Sequence, residues 1–195
     1  MTEAEIATLF EDLEVLRRGH FRLSSGKHSD TYLQCALALR DPSVAMRLGA
    51  ALADRLEATD IDVVVSPALG GVLAGFVVAA ALDRPFVFTE RAADRAMTMR
   101  RGQVIESGQR VVVVEDVVTT GGSAMEVVAL CEAAGATVVG LASLVDRSAG
   151  LPPAERPRMS PTALLTVEAQ AWEPADCPAC GAGTPIDSPG SRHAA

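Results

Sequence analysis

Lysine is almost absent from this chain of 195 residues: Lys27 is the only one, and the remaining basic charge is arginine. Basic residues are outnumbered too, 17 against 25 acidic ones, which leaves a formal net charge of −8. That sign is opposite to what the phosphate backbone of nucleic acid attracts, so sequence-independent DNA or RNA binding is excluded. Two familiar phosphate-binding patterns are also missing. Neither G-x-x-x-x-G-K-[ST] nor G-x-G-x-x-G occurs, which removes P-loop nucleotide sites and dinucleotide sites of the Gly-rich type. Cysteine is sparse, at Cys35, Cys131, Cys177 and Cys180. The acidic start, MTEAEIATLFEDLE, fits neither a secretory signal nor an Arg-rich transit peptide. The expectation is a reducing, cytoplasmic setting.

One uncharged run, Val63 to Leu82, reaches the 20 residues of a membrane span. Ser66-Pro67 and Gly70-Gly71 break any continuous helix there, and Asp62 and Asp83 bound it. It reads instead as a buried strand, a tight loop and a buried helix. With 49% hydrophobic and 22% charged residues, the chain is composed like one folded domain rather than a disordered one.

Thr2-Glu3-Ala4-Glu5 fits a capping box, and Ile6, Leu9, Phe10, Leu13 and Leu16 follow at helical spacing up to Gly19. His20 to Leu23 and Thr31 to Ala36 read as short strands around the turn Ser24-Ser25-Gly26. Asp41-Pro42 opens a second amphipathic helix, running to about Ala58. Apolar runs at Ile61–Val65, Phe86–Thr89, Arg110–Val114 and Thr137–Val145 then alternate with helices ending at Leu82 and Ala134. Strands without a polar face, alternating with helices, predict an α/β fold with a mostly parallel sheet covered on both sides. Two stretches interrupt the pattern. Arg91 to Gly108 is arginine-rich and too long for an inert connection, and Ala171 to Ala195 reads as a loop or extension.

The central motif is Val111-Val112-Val113-Val114-Glu115-Asp116-Val117-Val118-Thr119-Thr120-Gly121-Gly122-Ser123. Four valines make a buried strand, with two acids at its carboxyl end, where open parallel sheets bind their ligands. Thr-Thr-Gly-Gly-Ser then opens a helix, so backbone N–H groups, hydroxyls and the helix dipole converge on one spot suited to a phosphate. Adjacent acids beside a phosphate cradle suit the paired hydroxyls of a ribose, or a metal ion bridging to it. Ordinary N-capping of a helix would need less than this.

These nine residues, Glu115 to Ser123, resemble the phosphoribosyl pyrophosphate (PRPP) fingerprint of type I phosphoribosyltransferases. Gly19 to Asp30, Ser66 to Gly71, and Ser143 to Ser148 resemble, in order, three further segments of the orotate-using branch of that family. The tail, Cys177-Pro178-Ala179-Cys180 through Pro189-Gly190-Ser191-Arg192, is similar to that of a bacterial subgroup. The resemblance implies the family's fold, a five-stranded, mostly parallel sheet flanked by helices, plus a small hood. Residues 1–195 would then be one domain: an N-terminal helix and hood segment over 1–40, an α/β core over 41–150, and a hood return and tail over 151–195.

It also implies the chemistry: Mg²⁺-dependent transfer of phosphoribose from PRPP to orotate, giving orotidine 5′-phosphate and pyrophosphate, in pyrimidine synthesis. By resemblance, PRPP would be held by Glu115, Asp116, Val117, Val118, Thr119, Thr120, Gly121, Gly122 and Ser123. Ala68, Leu69 and Gly70 would present N–H groups to its pyrophosphate, with a strained peptide at Ala68-Leu69. Thr119, Arg147 and Lys27 would contact orotate, Arg147 as a planar fork on its carboxylate. Asp116, Lys27, Arg91, Arg100 and Arg101 would be catalytic, the arginines lying where the family keeps a mobile loop that completes the neighbouring subunit's site in a homodimer. That loop usually carries lysines and a histidine, and here it has neither. Mg²⁺ would be held through PRPP, with no direct side-chain metal ligands expected. A transferase for another base and a non-catalytic PRPP sensor are the alternatives.

Cys177-x-x-Cys180 is half a zinc site by spacing, but no second such pair accompanies it, and His20, His28 and His193 are scattered. The expectation is a loop turn or thiol pair. Cys35 and Cys131 lie in apolar runs and are expected to be buried.

Overall fold

The structure, a computed structural model, describes residues 1–23, 25–56 and 60–189. Helix α1 (Glu3–Asp12) is followed by strands β1 (Leu16–Arg22) and β2 (His28–Leu33), a short helix α2 (Ala36–Leu39) and helix α3 (Pro42–Asp54). Then come β3 (Val63–Pro67), α4 (Gly70–Leu82), β4 (Phe86–Arg91), β5 (Met97–Met99), β6 (Arg110–Val118), α5 (Gly122–Ala133) and β7 (Thr137–Asp146). Strands β8 (Thr162–Thr166) and β9 (Ala171–Trp172) and the single turn α6 (Pro178–Gly181) complete the order.

The capping box forms: Thr2 Oγ1 accepts from the Glu5 N–H at 3.3 Å, and Glu5 Oε2 accepts from the Thr2 N–H at 2.8 Å. The helix does not run to Gly19. Glu14 turns left-handed at φ 56°, and the Glu14 and Val15 N–H groups bond back to the carbonyls of Glu11 and Phe10. That pair of bonds is a Schellman closure. Leu16, expected on the helix, starts β1 instead. The strand expected at Thr31–Ala36 begins earlier and ends at Leu33, because Cys35 leads into α2. The second helix starts on the predicted Asp41 cap, whose Oδ1 accepts from the Ser43 and Val44 N–H groups. Its expected end at Ala58, and the turn residue Ser24, lie outside the described residues.

The large sheet has strand order β5-β4-β3-β6-β7-β8. Its five parallel strands match the expected count, but a sixth is added. Residues expected in an irregular arginine-rich segment fold back as β5 and pair antiparallel with β4, Arg91 opposite Met97 and Thr89 opposite Met99. Met97-Thr98-Met99 satisfies the open edge that β4 would otherwise present. A second, three-stranded antiparallel sheet joins β1, β2 and β9, so part of the tail is a strand rather than a loop.

Alternate residues of β3 and β6 bury in opposite layers. Val64, Val112 and Val114 pack with Leu48, Leu52 and Val78 of α3 and α4, while Val63, Val111 and Val113 pack with Val127, Val128 and Cys131 of α5. Cys35 and Cys131 are buried, as expected. Helices α3 and α4 touch backbone to backbone at Gly49, where a Cβ would lie 2.7 Å from the carbonyl carbon and oxygen of Val77.

Gly49→Ala is therefore expected to overpack this contact at a cost of about 1–3 kcal/mol. For a chain of this size that corresponds to a thermal midpoint lower by about 3–10 °C, read by circular dichroism. An unchanged midpoint would show that the two helices can move apart freely.

Candidate active site

Strand β6 runs beyond Val114 to Val118, so Glu115 and Asp116 lie within its last residues rather than after it. The chain then turns through Thr119 and Thr120 to Gly121, which adopts φ 72° and N-caps α5. A Cβ on Gly121 would also fall 2.6 Å from Pro157 Cβ, so both backbone and space demand glycine. The first turn of α5 opens into a pocket of about 330 Å³, lined by Glu115, Val117, Thr119 to Ser123, Arg91 and Glu126. Unpaired N–H groups at a helix start, with three hydroxyls around them, make this an anion cradle.

The acids meet a second segment. A Cβ at Gly70 would lie 2.8 and 2.9 Å from the two carboxylate oxygens of Asp116, so the turn after β3 passes directly against that side chain. In this turn the Ala68–Leu69 peptide bond is cis, and the Ala68 N–H bonds to the Thr89 carbonyl at 2.7 Å. Because β3 and β6 are parallel neighbours, both carboxyl ends deliver their turns to one edge of the sheet. Burial pushes the Glu115 carboxyl up to about 7, and the Asp116 charge beside it adds to the effect. Asp116 is also raised by burial, and backbone N–H groups at Val117 and Asp116 draw it partly back.

Arg147 follows β7, and its N–H bonds to the Val118 carbonyl at 2.8 Å, which ties it to the end of β6. Its guanidinium Nε is buried without a hydrogen-bond partner. Burial lowers its pKa, and the Asp30 carboxylate works in the opposite direction. Lys27 lies elsewhere: it pairs with Glu173 at 3.2 Å and lines a separate cavity of about 610 Å³. Asp30 lines that cavity as well, so this one carboxylate relates Lys27 to Arg147.

The arginines divide. Arg91 reaches the anion pocket and is held there by a bidentate pair with Glu126, at 2.8 and 3.0 Å. Arg101 pairs with Glu90 at 3.2 and 3.1 Å, and Arg100 has no side-chain partner among the described residues. Neither lines the pocket. The structure thus brings together Glu115, Val117, Thr119 to Ser123 and Arg91, sets Asp116 against Gly70, and leaves Lys27, Arg100 and Arg101 outside. Glu126 was missed in the sequence, although its place three residues after Ser123 puts it on the same face of α5. Asp30 lay inside a recognised segment without an assigned part.

The phosphoribosyl transferase domain pattern matches residues 38–176. An orotate phosphoribosyltransferase of Pelotomaculum thermopropionicum is 46% identical over 192 residues, covering 98% of this chain and 99% of that protein. Among solved structures, Mycobacterium tuberculosis orotate phosphoribosyltransferase in complex with inorganic phosphate superposes with a TM-score of 0.66 and 29% identity, covering 84% of this chain and 95% of that one. An adenine phosphoribosyltransferase from Thermoanaerobacter pseudethanolicus reaches a TM-score of 0.67 at 20% identity, covering 81% of this chain and 99% of that one, which shows the fold alone.

The raised Glu115 carboxyl has a consequence for stability. Folding favours its protonated form, so the full stability is present below the ordinary value of 4.5 and is lost as pH rises toward about 7. Glu115→Gln is expected to raise the thermal midpoint of the ligand-free protein by several degrees at pH 8 and to leave it nearly unchanged at pH 4.5. Equal effects at both pH values would contradict the burial argument.

Proposed function

The chain belongs to the phosphoribosyl transferase domain family, and on that premise we propose that it moves the phosphoribosyl group of PRPP onto orotate, releasing pyrophosphate and forming orotidine 5′-phosphate. The observation that carries the choice of base is Arg147. Its half-buried guanidinium beside the phosphate turn keeps an unpartnered Nε, and a planar fork of that kind is completed by a carboxylate. Orotate carries one; adenine and uracil do not. Relatives of nearly equal length bearing the orotate name support the same reading.

In this reading Thr119 to Ser123 hold the 5′-phosphate, and Glu115 and Asp116 accept from the ribose hydroxyls. Leu69 and Gly70 offer backbone N–H groups to the pyrophosphate, whereas the Ala68 N–H expected to join them is taken by the Thr89 carbonyl. Displacement at the anomeric carbon by the orotate ring nitrogen passes through an oxocarbenium-like ribose, while negative charge grows on the departing pyrophosphate. The half-buried carboxylate of Asp116 faces the developing positive charge, and arginine neutralises the leaving group, so catalysis is positioning and electrostatics without a covalent intermediate. Arg91, which lines the Thr119–Ser123 cradle, meets the 5′-phosphate by exchanging Glu126 for its oxygens. Glu115 and Asp116 are hard oxygen donors of the kind Mg²⁺ accepts, and the cation, carried mainly by PRPP, would neutralise pyrophosphate charge. The small β1-β2-β9 sheet serves as the hood and carries Lys27 in its β1–β2 turn, while Thr119 borders the base from the turn after β6.

A homodimer completes the site. Leu69, Leu73 and Phe76 are 87%, 50% and 56% exposed along one side of α4 and the turn before it, an apolar stripe suited to a second copy. Arg100 and Arg101 miss their own pocket and would serve a neighbour's, Arg101 by giving up its pair with Glu90. The reaction is placed in the cytoplasm, in keeping with four unpaired cysteines. No helix among the described residues is long and apolar enough to cross a membrane.

Orotate absorbance should fall only when protein, PRPP and Mg²⁺ are all present, with uracil and purine bases inert. Arg147→Ala is expected to reduce kcat/KM for orotate about 10–150-fold while PRPP still binds, the loss of one charged hydrogen-bonding partner. PRPP binding without any change in orotate would point to another base or to a non-catalytic sensor.

A further inference from the structure

Outside the anion pocket, the hairpin β1–β2 and the α6 turn bring His20, His28, Cys177 and Cys180 together, and their ligand atoms all lie within 4.8 Å of one another. The sequence expectation for these residues was a turn or a thiol pair with scattered histidines; folding supplies the missing half of the set. His20 Nε2 lies 3.1 Å from His28 Nδ1, 3.4 Å from Cys177 Sγ and 3.6 Å from Cys180 Sγ. Cys180 Sγ lies 3.3 Å from His28 Nδ1. Around zinc, with bonds of about 2.0–2.1 Å to nitrogen and 2.3 Å to sulfur, a tetrahedron separates its ligand atoms by about 3.3–3.8 Å. Four of the six edges already stand close to those lengths, and the other two lie within 4.8 Å.

The surroundings of His20 support the same geometry. Its Nδ1 is 2.9 Å from the Thr184 carbonyl oxygen. A carbonyl only accepts, so the proton sits on Nδ1 and the Nε2 lone pair is left facing the cluster. That outer contact is the one metal-bound histidines make to fix their tautomer. His20, His28 and Cys177 are buried, 5%, 8% and 4% exposed. The His20 Nε2 lone pair faces His28 Nδ1 at 3.1 Å, close enough for the two nitrogens to share one cation as they would share one proton.

The tail has little else to hold it. Among the described residues from 171 onward, Cys177 is the only one buried, and none belongs to either apolar core. Contact with the body rests on the two-residue strand β9, on the Arg17–Asp187 and Lys27–Glu173 pairs, on the His20–Thr184 bond, and on backbone bonds from Arg22 to Asp187 and from Asp187 to His20. Small segments without a core need a staple.

We propose that His20, His28, Cys177 and Cys180 bind one zinc ion in a closed, structural Cys₂His₂ site that clamps the tail onto the β1–β2 hairpin. Two thiolates and two imidazoles match zinc by ligand type, and four protein ligands leave no open position for catalysis. Binding displaces the two thiol protons to solvent. Because Lys27 adjoins His28 and pairs with Glu173, the ion also sets where the only lysine stands.

Elemental analysis of the purified full chain, prepared without chelator, is expected to find about one zinc per chain, falling below a tenth in Cys177→Ser/Cys180→Ser. Cobalt(II) added to the reduced, metal-free wild-type chain should give tetrahedral visible bands and a sulfur-to-cobalt charge-transfer band; this reading needs no variant to fold. Chelation should speed proteolytic cleavage within 173–189 at least tenfold, with zinc restoring protection. A wild-type chain with less than a tenth of an equivalent and no cobalt bands, or a double variant that keeps its full zinc, would overturn the site. Unchanged cleavage after complete zinc removal would overturn the clamp. None of these readings depends on transferase activity, so they stand apart from the orotate assignment.

Discussion

The structure depends on burying the Val111–Val114 run from both sides. A strand with apolar side chains on each face is stable only under two covering layers, here α3 and α4 on one side and α5 on the other. Covering helices require crossover connections, and crossovers make the neighbouring strands parallel. Parallel strands in turn end on the same edge. The turns after β3 and β6 therefore arrive side by side, and Gly70 comes to lie against Asp116 without any long-range interaction arranged for that purpose. The site is a by-product of how a fully buried strand must be packed.

What could be read in the sequence follows from how local each cause is. The Thr2–Glu5 box, the Asp41 cap, the valine run and the turn at Gly121 each act within a few residues, and each appears where its pattern lies. The end of α1 was hidden because a glutamate, Glu14, occupies the left-handed position that glycine usually marks. Strand β5 was hidden because its only reason to exist is the free edge of β4, a fact of the sheet and not of Met97-Thr98-Met99. The Glu115-to-Ser123 cradle was legible as chemistry because all its parts are contiguous. The pairing of Arg91 with Glu126, 35 residues away, was not. The histidine–cysteine cluster is the extreme case, with His20 and Cys177 separated by 157 positions.

The charge arrangement around the site is uneven. Burial raises the two carboxyls at the end of β6 above their ordinary values and lowers Arg147 below its own, although the guanidinium stays charged. Each is held in an environment that its ionised form disfavours, and each would be relieved by a partner of the right kind: hydroxyls or a cation for the acids, a carboxylate for the arginine. Burial that weakens the empty protein thus strengthens its preference for a filled one.

The Arg91–Glu126 pair gives the anion pocket a further property. Its cation is already neutralised, so an entering anion gains nothing by mere proximity and has to win the guanidinium from a bidentate carboxylate. A chloride ion, with one charge and no fork of oxygens, competes poorly for that geometry. A phosphate dianion offers two oxygens at the same spacing and can also occupy the helix N–H groups at Gly122 and Ser123, which Glu126 does not use. The pair sets a competitor at Arg91 that an entering anion has to displace, while the helix N–H groups beside it stay open.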